Sequence, residues 1–153
     1  MSEAYVALGS NLGDREENLR SALKHLEANG VEVVKVSTFI ETEPYGVTDQ
    51  PGFVNAVCQV ETQLEPLELL RLLLNIELEM GRVRLRRWGE RNIDLDLLLY
   101  EDACIMSEEL TLPHPDMQNR DFVLLPLAEI AGEVVHPILQ KTIKQLKEEL
   151  LCK

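Results

Sequence analysis

Residues 92–100 read Asn-Ile-Asp-Leu-Asp-Leu-Leu-Leu-Tyr, and this run constrains the fold more than any other. It alternates like a strand. Ile93, Leu95, Leu97 and Leu99 would bury one face, while Asp94 and Asp96 share the other with Leu98 and Tyr100. A strand with so apolar a face must be covered by another layer. Side chains two apart on a strand are about 6.5–7 Å apart along it. Two carboxylates that close repel unless a cation sits between them. Aspartate oxygens suit Mg²⁺, which keeps several waters and binds through one or two carboxylates plus substrate phosphates. A solvated strand edge is the bland alternative, and the apolar residues around the acids argue against it.

The only basic cluster lies directly before this run, Arg82-Val-Arg-Leu-Arg-Arg-Trp-Gly-Glu-Arg91. It holds five arginines, one glutamate and the only tryptophan. The chain's net charge is −12, so outside this +4 segment it carries −16. An acidic body argues against nucleic-acid partners, which need a broad basic footprint. A local basic loop beside an acidic pair instead suits a small polyphosphate such as ATP, since Arg grips phosphate with bidentate geometry. Such a loop has few apolar anchors. It is expected to be mobile when empty and to order over ATP and Mg²⁺.

The order of elements can be read from periodicity and punctuation. Residues 4–8 read as a buried strand and 9–13 as a turn. Asp14 is an expected N-cap, with Glu17 completing a capping box. Leu19, Ala22, Leu23 and Leu26 follow at helical spacing, and Asn29-Gly30 ends that helix. Residues 31–42 are β-rich, with Val34, Val36, Thr38 and Ile40 on one face. Residues 43–52 form a loop. Residues 53–62 form a second long strand, with Val54, Ala56, Cys58 and Val60 on its apolar face and Phe53, Asn55, Val57 and Gln59 on the other. Pro66 opens a helix whose expected stripe is Leu70, Leu73, Leu74, Glu77 and Met80, ending at Gly81. Strand 92–100 follows, then irregular chain to Met117, a short helix after Asn119 and a last helix over about 142–150. This β-α-β-β-α-β order predicts an α+β fold with a ferredoxin-like core, an antiparallel sheet with helices packed on its faces and a C-terminal extension. The expected organisation is a single domain over 1–153. Three cysteines without metal-like spacing, and no signal-like or membrane-spanning run, predict a cytoplasmic, reducing setting and no membrane partner.

Other side chains invite two readings. Phe53 and Asn55 share a face, so they either pack or stack on a flat heterocycle and read its edge. Glu77 on an apolar stripe is a boundary residue or an orienting acceptor. His114, between two prolines, is structural or part of the site. No P-loop, Rossmann or protein-kinase motif is present. A ferredoxin-like binding module for RNA or a regulatory metabolite is the competing class. It is disfavoured by the charge and by only Tyr5 and Phe53 as aromatics on the central strands.

At this point the residues carry a resemblance. The strings Tyr5-Val-Ala-Leu-Gly-Ser-Asn-Leu-Gly13, Asp49-Gln-Pro-Gly-Phe-Val-Asn-Ala56, Arg87-Trp-Gly-Glu-Arg91, Ile93-Asp-Leu-Asp-Leu97 and Leu112-Pro-His-Pro-Asp-Met-Gln-Asn-Arg-Asp-Phe122 resemble the 6-hydroxymethyl-7,8-dihydropterin pyrophosphokinases of folate biosynthesis. The resemblance implies transfer of the terminal pyrophosphoryl unit of ATP to the pterin's hydroxymethyl group, with release of AMP. It implies two Mg²⁺ held by Asp94 and Asp96, with Arg82 and Arg91 acting with them in catalysis. It implies an ATP site of Glu77, Arg82, Arg84, Trp88, Arg91, Leu97, Thr111, His114 and Arg120. It implies a pterin site of Thr42, Pro44, Tyr45, Gly46, Phe53, Asn55, Trp88 and Phe122, the two phenylalanines sandwiching the ring. A monomer is expected. Glu109 stands where several relatives carry a basic residue, and Pro115 where several carry an aromatic.

Overall fold

In a computed structural model the residues described are 1–42, 52–81 and 92–152. A five-stranded antiparallel sheet is built around β1 (Ser2–Ser10), which pairs with β4 (Phe53–Thr62) on one side and β5 (Asp94–Tyr100) on the other. β2 (Glu32–Val36) and β3 (Ile40–Thr42) both pair with the far side of β4. The order across the sheet is therefore β2-β4-β1-β5, with β3 continuing the β2 edge. β6 (Ile105–Met106) and β7 (Thr111–Leu112) form a separate short hairpin. Four α-helices complete the described fold: α1 (Arg15–Ala28), α2 (Pro66–Glu79), α3 (Asp121–Ala131) and α4 (Ile143–Leu151).

Helices cover both faces of the sheet. On one, Leu19, Ala22 and Leu26 of α1 and Leu69, Leu73 and Ile76 of α2 join Val6, Leu8, Ala56, Cys58 and Leu97 in one core. On the other, Val123, Leu124 and Leu127 of α3 and Ile143 and Leu146 of α4 join Tyr5, Val57, Leu98 and Leu99. Each fully buried leucine contributes about 1.5–3 kcal/mol relative to exposure. Both faces of β4 are buried, which fits its nearly continuous apolar run from Phe53 to Val60, broken only at Asn55 and Gln59. Cys58 lies wholly inside, where burial pushes its thiol up to about 12, so it packs as a small apolar group.

Local chemistry sets the helix ends. The Asp14 carboxylate accepts from the Glu17 N–H at 3.1 Å, as expected of an N-cap. The Glu17 carboxylate takes no return part in the cap that the structure records; it faces Arg20 at 3.4 Å. Gly30 and Gly81 follow α1 and α2 with φ of 82° and 72°, a left-handed conformation that suits glycine. Thr142 and Gln145 form a full capping box on α4.

Several expectations are corrected. Residues 9 and 10 belong to β1, so the turn begins at Asn11. The 31–42 segment is two strands, because the Ser37 hydroxyl accepts from Val57 N–H at 2.9 Å and the Glu129 carboxylate binds Thr38. Val34 and Val36 are exposed on this edge. The buried stripe of α2 is Leu69, Leu73, Ile76 and Glu77, turned away from Leu70 and Leu74. In β5 the register with β1 jumps from Leu97 opposite Val6 to Leu99 opposite Tyr5. That extra residue is a bulge, and it puts Leu99 on the α3 side and Tyr100 on the α2 side, the reverse of simple alternation.

His136 supplies a pH-dependent element of stability. Its buried Nδ1 accepts from the N–H groups of Ile138 and Leu139 at 3.2 and 3.1 Å. Burial lowers its pKa below the ordinary value. Protonation is thus easier in the unfolded chain, and this contribution is present above about pH 6.5 and declines as pH falls below it. Unfolding by urea at pH 7.5 and pH 5.5 is expected to show a smaller acid-induced loss of stability in His136→Asn, whose Oδ1 accepts without titrating, than in the wild type. Equal losses in both proteins would remove His136 from the account.

Candidate active site

Among the described residues β5 is an edge strand, and its outer edge must find partners or water. At one end the buried Glu77 carboxylate of α2 accepts from Leu95 N–H at 2.7 Å. At the other, His114 N–H donates to the Leu98 carbonyl at 2.9 Å. Between these two anchors runs a cleft of about 370 Å³, lined by Leu70, Leu74 and Glu77 of α2, Asp94–Leu97 of β5, and Glu109, Leu110, Thr111, His114 and Pro115. By strand alternation the N–H and C=O of Leu97 point the same way as those of Leu95, toward this cleft. Leu70, Leu74 and Leu110 were not expected here. The i, i+4 spacing of Leu70 and Leu74 was the available signal.

His114 is half-buried in the cleft wall, and its Nδ1 accepts from Asp116 N–H at 3.3 Å. That assignment leaves its proton on Nε2. Burial and the Arg120 charge lower its pKa, against the opposing pull of Asp96 and Asp116. A neutral imidazole carrying a donor beside Asp96 results. Arg120 lies 3.9 Å from Asp116 and 5.8 Å over the Phe122 ring. The Arg71 guanidinium holds the Glu109 carboxylate through two bonds of 2.9 and 3.0 Å, which ties α2 to the β6–β7 hairpin at the cleft's rim.

The sheet register places the second half of the site. Asp94 is opposite Gly9 of β1, and Gly9 is opposite Asn55 of β4. Asp96 is opposite Ala7. Asp94, Asp96, Asn55 and Phe53 all project to the α3 side, the side that position 9 also faces, because their neighbours Leu8, Val54, Ala56, Leu95 and Leu97 fill the opposite core. Asn55 is buried, and its Nδ2 donates to Thr42 Oγ1 at 2.9 Å. Thr42 of β3 is opposite Phe53. Arg15, at the start of α1, donates to the Gly52 carbonyl at 2.7 Å and pairs with Glu41 at 3.3 Å, so it holds the ends of both strands. Phe122 packs against the α3-side core.

Of the expected site residues, Glu77, Asp94, Asp96, Leu97, Thr111 and His114 come together around the cleft. Thr42, Phe53 and Asn55 gather on the neighbouring strands, and Arg120 and Phe122 at the start of α3. Pro44, Tyr45, Gly46, Arg82, Arg84, Trp88 and Arg91 lie outside the described residues. Among the described residues no cluster of three or more His, Cys, Asp or Glu side chains forms a ready metal cage. None of the described helices is long and apolar enough to cross a membrane.

The protein family described as 7,8-dihydro-6-hydroxymethylpterin-pyrophosphokinase matches residues 5–132. The 2-amino-4-hydroxy-6-hydroxymethyldihydropteridine pyrophosphokinase of Haemophilus influenzae is 49% identical over 157 residues, covering 100% of this chain and 98% of its own. The enzyme of that name from Bacillus subtilis is 51% identical over 132 residues, covering 86% of this chain and 79% of its own. Among solved structures, Plasmodium falciparum wild-type HPPK-DHPS superposes with a TM-score of 0.79 at 16% identity. That match covers 99% of this chain and 45% of the other, so this chain spans under half of the solved one and the likeness speaks to the fold alone.

The Glu77 bond makes a prediction about stability. Glu77→Leu leaves the buried Leu95 N–H without its acceptor and is expected to cost about 1–3 kcal/mol. Glu77→Gln keeps an accepting oxygen and is expected to cost less. Denaturant titration of both variants measures the difference, and indistinguishable losses would show that the carboxylate does not hold the β5 edge.

Proposed function

Since the chain belongs to the 7,8-dihydro-6-hydroxymethylpterin-pyrophosphokinase family, we infer that it transfers the pyrophosphoryl group of ATP to the hydroxymethyl group of 6-hydroxymethyl-7,8-dihydropterin, releasing AMP, in folate synthesis. One observation supports this reading above the others: the row Asp94–Gly9–Asn55 across three adjacent strands. Two strand spacings span about 9–10 Å. That is the scale of a bicyclic heterocycle with a one-carbon arm. The acids stand at one end of the row and a carboxamide at the other. The β2-β4-β1-β5 order and the β-α-β-β-α-β succession within the core support a ferredoxin-like reading of the fold.

The donor set suits Mg²⁺. Asp94 and Asp96 offer two same-face carboxylates at an open cleft, and the remaining positions are left for water and phosphate oxygens. Two ions held there would neutralise the triphosphate and lower the pKa of the attacking hydroxyl. The chain's own residues do the rest. The Leu97 backbone presents a donor and an acceptor to the adenine edge, flanked by Thr111. His114 donates from Nε2 to a phosphate oxygen. Asn55 and Thr42 read the pterin edge, and Phe53 and Phe122 hold its faces. The hydroxyl oxygen attacks the β-phosphorus as its proton passes to solvent water, the bond to the α,β-bridging oxygen breaks, and AMP departs. Arg82 and Arg91 offset the charge on that leaving group. The reaction depends on positioning and charge neutralisation and needs no protein nucleophile.

AMP formation from ATP, measured with and without hydroxymethyl-dihydropterin, tests the activity directly. Release that does not depend on the pterin would count against it. Asp94→Ala and Asp96→Ala are each expected to lower kcat by at least about 10³-fold, the scale of several kcal/mol of lost alignment, while the circular-dichroism spectrum stays native. Near-normal turnover in both variants would sink the metal assignment. Phe122→Ala and Asn55→Ala are expected to raise the pterin KM about tenfold or more and leave ATP binding nearly unchanged. Calorimetric titration with each ligand checks this, and equal weakening of both would argue against a separate pterin pocket.

A further inference from the structure

Gly9 lies midway between the acids and the carboxamide, in regular β-strand. It does not have the left-handed backbone found at Gly13, Gly30 and Gly81. The backbone at Gly9 therefore does not call for glycine, and glycine weakens a strand interior. What the position does require is space. A Cβ at Gly9 would lie 2.9 Å from Asn55 Oδ1 and 3.5 Å from the Phe53 ring. Asn55 cannot step aside freely, because it is buried and its Nδ2 is committed to Thr42 at 2.9 Å.

We propose that Gly9 is a positioning residue for the acceptor substrate: by carrying no side chain it lets the Asn55 amide lie against β1 with its oxygen turned into the gap between Asn55 and Asp94. There the oxygen accepts from the N–H donors of the pterin's aminopyrimidine edge. Thr42 fixes which end of the amide faces the ligand, and Gly9 fixes how deep it sits. The inference rests on the reading of Asn55 as a pterin contact.

The test is a double-mutant cycle with Gly9→Ala, Asn55→Ala and the combined variant, titrated with hydroxymethyl-dihydropterin and, separately, with a non-hydrolysable ATP analogue and Mg²⁺. Gly9→Ala is expected to weaken pterin binding about tenfold, the loss of about one well-placed hydrogen bond, and to change analogue binding by less than about twofold. The combined variant is expected to bind pterin no more weakly than Asn55→Ala, because the added methyl then has no amide to displace. Unchanged pterin affinity in Gly9→Ala would overturn the proposal, as would a further loss in the combined variant. Should Gly9→Ala fail to fold, the combined variant decides: native folding with the affinity of Asn55→Ala supports the proposal, and misfolding overturns it. An Asn55→Ala variant with normal pterin affinity identifies a different failure, that of the Asn55 contact itself.

Discussion

β1 pairs along its length with β4 on one side and β5 on the other, and this double registration is what the site depends on. Asp94 and Asp96 come from one neighbouring strand and Phe53 and Asn55 from the other. They face the same way only because both ladders keep their register against β1 on the acid side of the β5 bulge. Side chains alternate with a period of two, so a slip of one residue in either ladder would turn the acids or the amide into the core. The apolar residues between them, Leu8, Val54, Ala56, Leu95 and Leu97, oppose any such slip, because it would expose them. The same burial that stabilises the fold thus aligns the chemistry.

The second constraint is the free edge of β5. An open strand edge is a hazard for edge-to-edge pairing. Here the edge is taken up by Glu77 from α2 at Leu95 and by the His114 backbone at Leu98, and what lies between is the cleft. In the proposed reading, structural satisfaction and function meet in the same residues. Glu77 serves the cleft by holding the strand that carries Asp94 and Asp96. His114 uses its backbone to dock and its ring to line the wall. The Arg71–Glu109 pair ties the hairpin over the cleft, where an exposed ion pair adds geometry more than stability.

Where sequence reading failed, a non-local contact prevailed. The bulge at Leu97–Leu99 exchanges the faces of Leu99 and Tyr100, and nothing in Leu-Leu-Leu-Tyr distinguishes a bulge from simple alternation. The break in 31–42 is set by Ser37 reaching Val57 and by Glu129, 91 residues away, reaching Thr38. The α2 stripe turned toward Leu69 and Ile76, with Glu77 reaching the Leu95 N–H of β5. A helix of leucines presents several plausible faces, and the surface it meets chooses among them. By contrast, 53–62 was legible to the residue, since strong alternation is a local property.

By itself the sequence determined the types of chemistry present and the local elements that carry them. The paired acids, the proline-flanked histidine, the aromatic–amide pair, the N-cap at Asp14 and the helix start at Pro66 all follow from residues within a few positions of one another. Only the tertiary structure decided that Asp94 and Asn55, 39 positions apart in the chain, flank one bare glycine, and that Glu77 turns its carboxylate to the strand edge. The physical reason is the ladder. Backbone hydrogen bonds between distant strands set register, and register is fixed by burial across the whole sheet rather than by any local motif.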